Sequence, residues 1–222
     1  MLRKSLIGAA AAVAIFGGQA AQATIIGGGV TGGSSLSQGG IFIKLSVPFT
    51  ESNPDNTVGE NTFQTPNLYG FDEDQNIMIG AELDVNVGTN PQAGDVVASH
   101  YIFFDPGPST SQTGFVDFDA PIFGVATSTS FLQASDFLAN TGVTYQNPGL
   151  RGLESGDSAI IDPMNPNRLL VDWTASNPGD YVRVLTMRSP IADTIPVPGA
   201  ILFIGLGLIA ASAFGRSRQR PI

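Results

Sequence analysis

Gly and Pro interrupt this chain so often that no long helix can run through its middle. The stretches between them alternate apolar with polar residues. Of 222 residues, 27 are Gly and 15 are Pro. In a helix interior Gly costs about 1 kcal/mol and Pro about 3 kcal/mol relative to Ala. Charged residues make up only 13%, too few for coiled coils, which need sustained Glu, Lys and Arg. An apolar fraction of 42% is too high for a disordered chain. What remains is a domain built of short strands.

The alternation locates those strands. Ile41, Ile43, Leu45 and Val47 share one face, and Pro48 stops the run. From Ile77 to Val87, Ile77, Ile79, Ala81, Leu83, Val85 and Val87 fall on one side and Met78, Gly80, Glu82, Asp84 and Asn86 on the other, predicting a half-buried strand. Val96 to Phe104 is expected to be another such half-buried strand, ended by Asp105-Pro106-Gly107-Pro108. Phe115 to Ile122 puts Val116, Phe118, Ala120 and Ile122 inward. Further strands are expected at 158–161, 169–173 and 181–187, with turns at Pro163, Pro166 and Pro178-Gly179. One short helix is expected, capped by Ser130, carrying Phe131, Leu132, Ala134, Phe137 and Leu138 on one side and closed by Asn140-Thr141-Gly142. With no β-α-β rhythm and no internal repeat, the expected fold is mainly β: an antiparallel β-sandwich, jelly-roll-like, over residues 41–190. Residues 24–40, rich in Gly and Ser, read as a flexible lead-in with Ile25, Ile26 and Val30 docking.

Both ends differ from this middle. All 19 acidic residues lie between Glu51 and Asp193, and residues 24–194 hold only five basic ones, Lys44, Arg151, Arg168, Arg183 and Arg188, so that segment carries a net charge of −14. Such a surface repels phosphate backbones, which argues against nucleic-acid binding. Residues 1–23 begin with Arg3 and Lys4, continue with the apolar run Leu6 to Phe16, and finish in Ala21-Gln22-Ala23. This is the layout of a secretory signal peptide, with Ala21 and Ala23 as the small residues before the cut. From Thr194 to Gly215 there is no charge, and Arg216, Arg218 and Arg220 follow at once. Twenty-two uncharged residues can cross a hydrocarbon core of about 30 Å. The arginines of the tail 216–222 would then stay cytoplasmic and the acidic domain would face the other side of the membrane.

The Pro motif Ile195-Pro196-Val197-Pro198-Gly199-Ala200, the membrane segment 201–215 and the arginine cluster together resemble a PEP-CTERM sorting signal. The linker and motif occupy 191–200. The named motif has Glu between its prolines where this chain has Val197, so the resemblance is to the V-P-x-P-A variant. It rests on Pro196, Pro198, Gly199 and Ala200. It implies a Gram-negative bacterium that makes exopolysaccharide, an exosortase-type membrane enzyme that cuts near the prolines, and delivery from an inner-membrane precursor to the cell surface or biofilm matrix. Asn67-Leu68-Tyr69-Gly70-Phe71-Asp72-Glu73 and Pro178-Gly179-Asp180-Tyr181-Val182-Arg183-Val184 resemble stretches of uncharacterised domains that precede such signals. That likeness supplies no activity.

Chemistry is sparse. There are no cysteines, so disulfides and thiolate catalysis are excluded. His100 is the only histidine, lying in a strand on the face opposite Val97, Ser99 and Tyr101. No G-x-S-x-G turn offers it a nucleophile, and zinc needs more His or Cys than this chain has. No catalytic residue is therefore expected. Glu73 with Glu82, or Glu154 with Asp157, could serve a glycoside hydrolase, but nothing in the sequence fixes their separation.

For metals, Asp72, Asp74 and Asn76 alternate as in an EF-hand, yet Ile77 and Leu83 stand where its Gly and Glu belong. The calcium expectation is thus an irregular oxygen site from Asp72, Glu73, Asp74 and Asn76, with Asp162 and Asn165 contributing; the alternative is a solvated acidic turn. Tyr69, Phe71 and Tyr145 lie in turn-like stretches and are expected exposed, where they could stack on sugar rings. Trp173, in phase with Leu169 and Val171, reads as core. Arg183 reads as a buried or bridging charge with a carboxylate partner. The functional expectation is a non-enzymatic, exported structural or adhesive protein. The alternatives are an exopolysaccharide-binding module, calcium-assisted, and a glycoside hydrolase.

Overall fold

A computed structural model of the chain describes residues 23–46, 63–145 and 148–188. Residues 1–22, the linker, the Pro motif, the segment 201–215 and the three terminal arginines lie outside the described residues. Among those described, no helix is long and apolar enough to cross a membrane.

The fold is mainly β, in two sheets. The smaller is antiparallel, in the order β1 (Ile25–Gly32), β7 (Thr110–Phe118), β10 (Asn165–Ala175), β9 (Ser158–Asp162). The larger runs β2 (Phe42–Lys44), β3 (Leu68–Asp72), β6 (Val96–Phe104), β11 (Asp180–Met187), β8 (Ile122–Ala126), β5 (Val87–Gly88), with β4 (Ile77–Met78) also paired to β6. Among the described residues, only β2 with β3 is parallel.

The sheets face each other across a shared core, a sandwich. Ile25, Val116, Phe118, Leu169, Val171 and Trp173 from the smaller sheet meet Leu68, Ile102, Phe104, Val125, Val182 and Val184 from the larger. Alternation along β7, whose odd partners face water, is the cause. β6 is different. It is buried from Val97 to Phe104 because its other face is covered as well. There Tyr69, Phe71, Tyr101, Phe103 and Tyr181 form a second core with Leu132, Ala139 and Tyr145. The cover is α2 (Thr129–Ala134), a 3-10 turn at Asp136–Leu138 and the segment after it.

Four expectations change. Residues 24–40 are not a loose lead-in: they form β1 and the short helix α1 (Gly33–Ser37). Gly28 of β1 serves close approach, since a Cβ there would lie 2.6 Å from Phe42 Cγ and 2.8 Å from the Phe115 carbonyl oxygen. Residues 77–87 are strand only at their ends, in β4 and β5. Ile79 and Leu83 are buried as the alternation requires. Their amides, however, reach loop carbonyls of Asp95 and Pro91, and Val85 N–H donates to the Asn90 side chain, so no partner strand forms. The run from Phe115 to Ile122 bends after Phe118 and carries the chain from one sheet to the other, keeping Val116, Phe118, Ala120 and Ile122 buried. The cap of α2 is Ser128, whose Oγ accepts from Phe131 N–H, rather than Ser130.

Candidate functional site

The densest gathering of chemical groups lies in the second core, on the outer face of the larger sheet. Strand alternation aims Ser99, Tyr101 and Arg183 at it. Glu73, just past the end of β3, enters from one side, and Asp136, Tyr145 and Arg151 close it from the covering layer. Arg183 is fully buried. Its Nε donates to Glu73 Oε2 at 2.6 Å and its Nη2 to Glu73 Oε1 at 2.9 Å, a bidentate pair. Its Nη1 donates to the Leu132 carbonyl, Ser135 Oγ and Asp136 Oδ1. Glu73 also accepts from Ser99 Oγ at 2.6 Å and Tyr145 OH at 2.8 Å. Arg151 grips Asp136 with both terminal nitrogens, at 2.9 and 2.6 Å. Its guanidinium lies over the Tyr145 ring, which stacks on Tyr101 at 4.8 Å.

Two arginines and two carboxylates leave this cluster neutral. Burial works to lower the pKa of Arg183, but the charge and hydrogen bonds of Glu73 outweigh it and hold the guanidinium charged. Burial pushes the phenols of Tyr101 and Tyr145 upward, so both stay protonated near neutral pH. Such a cluster cross-links α2 and the following turn to the sheet. It offers no poised acid or base.

His100 sits on the opposite face, sealed in the sandwich against Phe118 at 4.8 Å. Its Nδ1 lies 2.8 Å from Asp72 Oδ1 and its Nε2 3.0 Å from Thr186 Oγ1. Asp-His-Thr is the connectivity of a hydrolytic relay. Here His100 and Thr186 are both fully buried, which gives the hydroxyl no route to substrate. Asp72 also accepts from Ile25 N–H and Thr24 Oγ1, and it pairs with Lys44 at 2.7 Å. Burial raises the Asp72 carboxyl, but attraction to His100 and the hydrogen bond from Lys44 prevail and hold it well below the usual range.

These facts rearrange the expected ligand sets. Asp72 and Glu73 are successive residues and point to opposite faces of the sheet, Asp72 to His100 and Glu73 to Arg183. They do not converge with Asp74 and Asn76 on one cation. Asp162 Oδ1 accepts from Met164 N–H and Asn165 Oδ1 from Asn167 N–H, within their own turn on the smaller sheet. Among the described residues, no three His, Cys, Asp or Glu side chains converge on a metal position. Glu73 and Glu82 are apart, one buried under α2 and the other in an exposed loop bonded to Asn90. Tyr69, Phe71 and Tyr145 are buried, not exposed, because the covering layer turns the strand's second face into core. They provide no stacking platform. Trp173 is core, its Nε1 donating to Gln112 Oε1 at 3.0 Å.

Two buried carboxyls stand outside every such arrangement. Asp105, at the end of β6, has both oxygens buried without a hydrogen-bond partner, and burial pushes it up to about 8. Asp180, at the start of β11, has Oδ2 in the same condition. The sequence carried a signal for Asp180: it is in phase with the inward residues Val182 and Val184. Comparison of the chain with protein-family models, curated proteins and solved structures finds no match.

Proposed function

We propose that this is an exported, non-enzymatic structural or adhesive protein, sorted through its C-terminal tail by an exosortase-type enzyme to the cell surface or extracellular matrix. The observation that carries the reading is the tail itself: Pro196 and Pro198, then an uncharged membrane-length run, then Arg216, Arg218 and Arg220. It begins only a few residues after β11 ends at Met187, so the prolines would hold extended backbone between domain and membrane. The jelly-roll description belongs to this reading too, supported by a chain that repeatedly crosses between the sheets.

Support comes also from the N-terminal side. Ala23 is 1% exposed, and Thr24 N–H donates to Asp119 Oδ1 at 2.9 Å. A cut after Ala23 must therefore precede folding, as it does when signal peptidase acts during export. The new ammonium of Thr24 would meet a carboxylate already in place. The non-enzymatic part is supported by the sealing of His100 and the pairing of Glu73 with Arg183.

The test is localisation. Replacing Arg216, Arg218 and Arg220 together with Ala, or Pro196 and Pro198 together with Ala, should trap the protein in the inner-membrane fraction while the parent chain reaches the surface or medium. Equal distribution of all three chains would refute sorting through the tail.

A further inference from the structure

The loop 149–154 and the loop 175–180 enclose a cleft of about 230 Å³ at one end of the sandwich. That is smaller than ordinary small-molecule pockets, which start at about 300 Å³. It is room enough for an ion with part of its water. Asp180 lines it from the first position of β11 and is 3% exposed. Its Oδ2 is buried with no hydrogen-bond partner. The sharp turn before it fixes this position. Gly179 has φ +93°, and a Cβ there would lie 2.7 Å from the Phe104 carbonyl oxygen, so the chain can enter β11 only through glycine.

The charges around Asp180 make the orphan more acute. Glu154 lines the same cleft, and Asp157 is near enough for its charge to act on Asp180. Burial first, then the charges of Asp157 and Glu154, push the Asp180 carboxyl up to about 8. Arg151 also lines the cleft, but its terminal nitrogens hold Asp136 in the second core and do not serve Asp180. A buried oxygen without donor or counter-charge destabilises the fold. A cation removes that cost.

We propose that this cleft is a calcium site, with Asp180 as the buried anchoring ligand and Glu154 as the second carboxylate. Calcium takes six to eight oxygens at flexible geometry, carbonyls and waters included. The cleft lining supplies them: the hydroxyl of Thr129 at the start of α2, the Ser176 hydroxyl, the Asn177 side chain and the backbone carbonyls of the two loops. A set of two carboxylates completed by neutral oxygens matches the weak-binding class, with Kd of about 0.1–1 mM. The inference concerns the domain alone and does not rest on export or tail processing.

The test uses the full chain in detergent, stripped with chelator and titrated with CaCl2 by calorimetry. Thermal unfolding is then compared in 5 mM CaCl2 and 5 mM EDTA. We expect one calcium per chain and a Tm higher by about 5 °C with calcium. Asp180→Asn should abolish both, with a Tm in EDTA no lower than that of the parent. Glu154→Gln, a change on an exposed side chain that leaves the fold intact, should weaken binding at least several-fold. Asp74→Asn, on the separate acidic turn, should leave binding unchanged. Binding that survives both Asp180→Asn and Glu154→Gln at parental affinity would overturn the assignment, as would absence of calcium heat up to 10 mM in the parent.

Discussion

Arg183 and Asp180 lie three residues apart on β11, and both are buried, yet their surroundings differ in kind. Arg183 points to the outer face of the larger sheet, where Glu73, Asp136, Ser135 and a helix carbonyl meet its donors. Asp180 points to the inner face at the mouth of the sandwich, where Glu154 and Asp157 add charge of its own sign. The larger sheet thus has one face on which every described charge is answered within the chain and one end on which a charge is left over. An internally compensated cluster stabilises a fold without a partner. An uncompensated carboxyl needs a proton or a cation from outside. The first is architecture, and the second is where the chain can respond to its medium.

The largest effect should come from breaking the compensated side. Glu73→Ala leaves Arg183 charged and buried without its bidentate partner, and should lower unfolding stability by about 3–5 kcal/mol. Urea denaturation measures it. A loss below 1 kcal/mol would mean that water reaches Arg183 and that the cluster is not sealed.

The uncompensated side gives a pH signature. A folded pKa of about 8 for Asp105 and Asp180 lies above the unfolded value near 4. The folded state therefore binds more protons between those values. The associated stability is fully present below about pH 4, and it is lost as pH rises toward 8. Each group contributes a slope of at most about 1.4 kcal/mol per pH unit. Denaturation midpoints measured from pH 5 to 8 should fall, and Asp105→Asn should flatten the fall by about 1 kcal/mol per pH unit. An unchanged slope would show that Asp105 is not buried in its acid form.

At the N-terminal edge, a protein beginning at Thr24 should be more stable than one beginning at Ala23 by about 1 kcal/mol, because its ammonium replaces an amide donor to Asp119. Asp119→Asn should erase the difference. If both proteins melt alike before that substitution, Asp119 does not hold the new terminus. The smallest effect concerns the layer over the second core: Ser128→Ala should cost about 0.5–1 kcal/mol, whereas Ser130→Ala should stay within about 0.5 kcal/mol.

What could be read in the sequence depended on how many faces of a strand were buried. The bounds of Val96 to Phe104 were legible, because the run stops at Asp105-Pro106-Gly107, but the burial of both its faces was not, since the strand reads as half-buried until a covering layer is known. Trp173 and Val171 were legible as core by period two. Tyr69 and Phe71 were not, since the layer that covers them comes from α2 and the turn after it, some 60 residues later, and alternation says nothing about a third layer. The kind of partner Arg183 needs was legible, but its identity was not, because Glu73 is 110 residues away. Gly28 and Gly29 suggested flexibility, while the strand uses their missing side chains to let Phe42 and Phe115 approach. Asp180 could have been found from its phase with Val182 and Val184.

Intact mass of the protein from membrane and extracellular fractions decides between export with tail processing and retention in the membrane. A surface or extracellular species that begins at Thr24 and ends between Pro196 and Ala200, without Arg216, Arg218 and Arg220, is expected. A species that keeps Ile222 and stays in the inner membrane would contradict it. The chain would then be a tail-anchored domain, and its acidic surface and cleft would have to be read for partners on that side of the membrane.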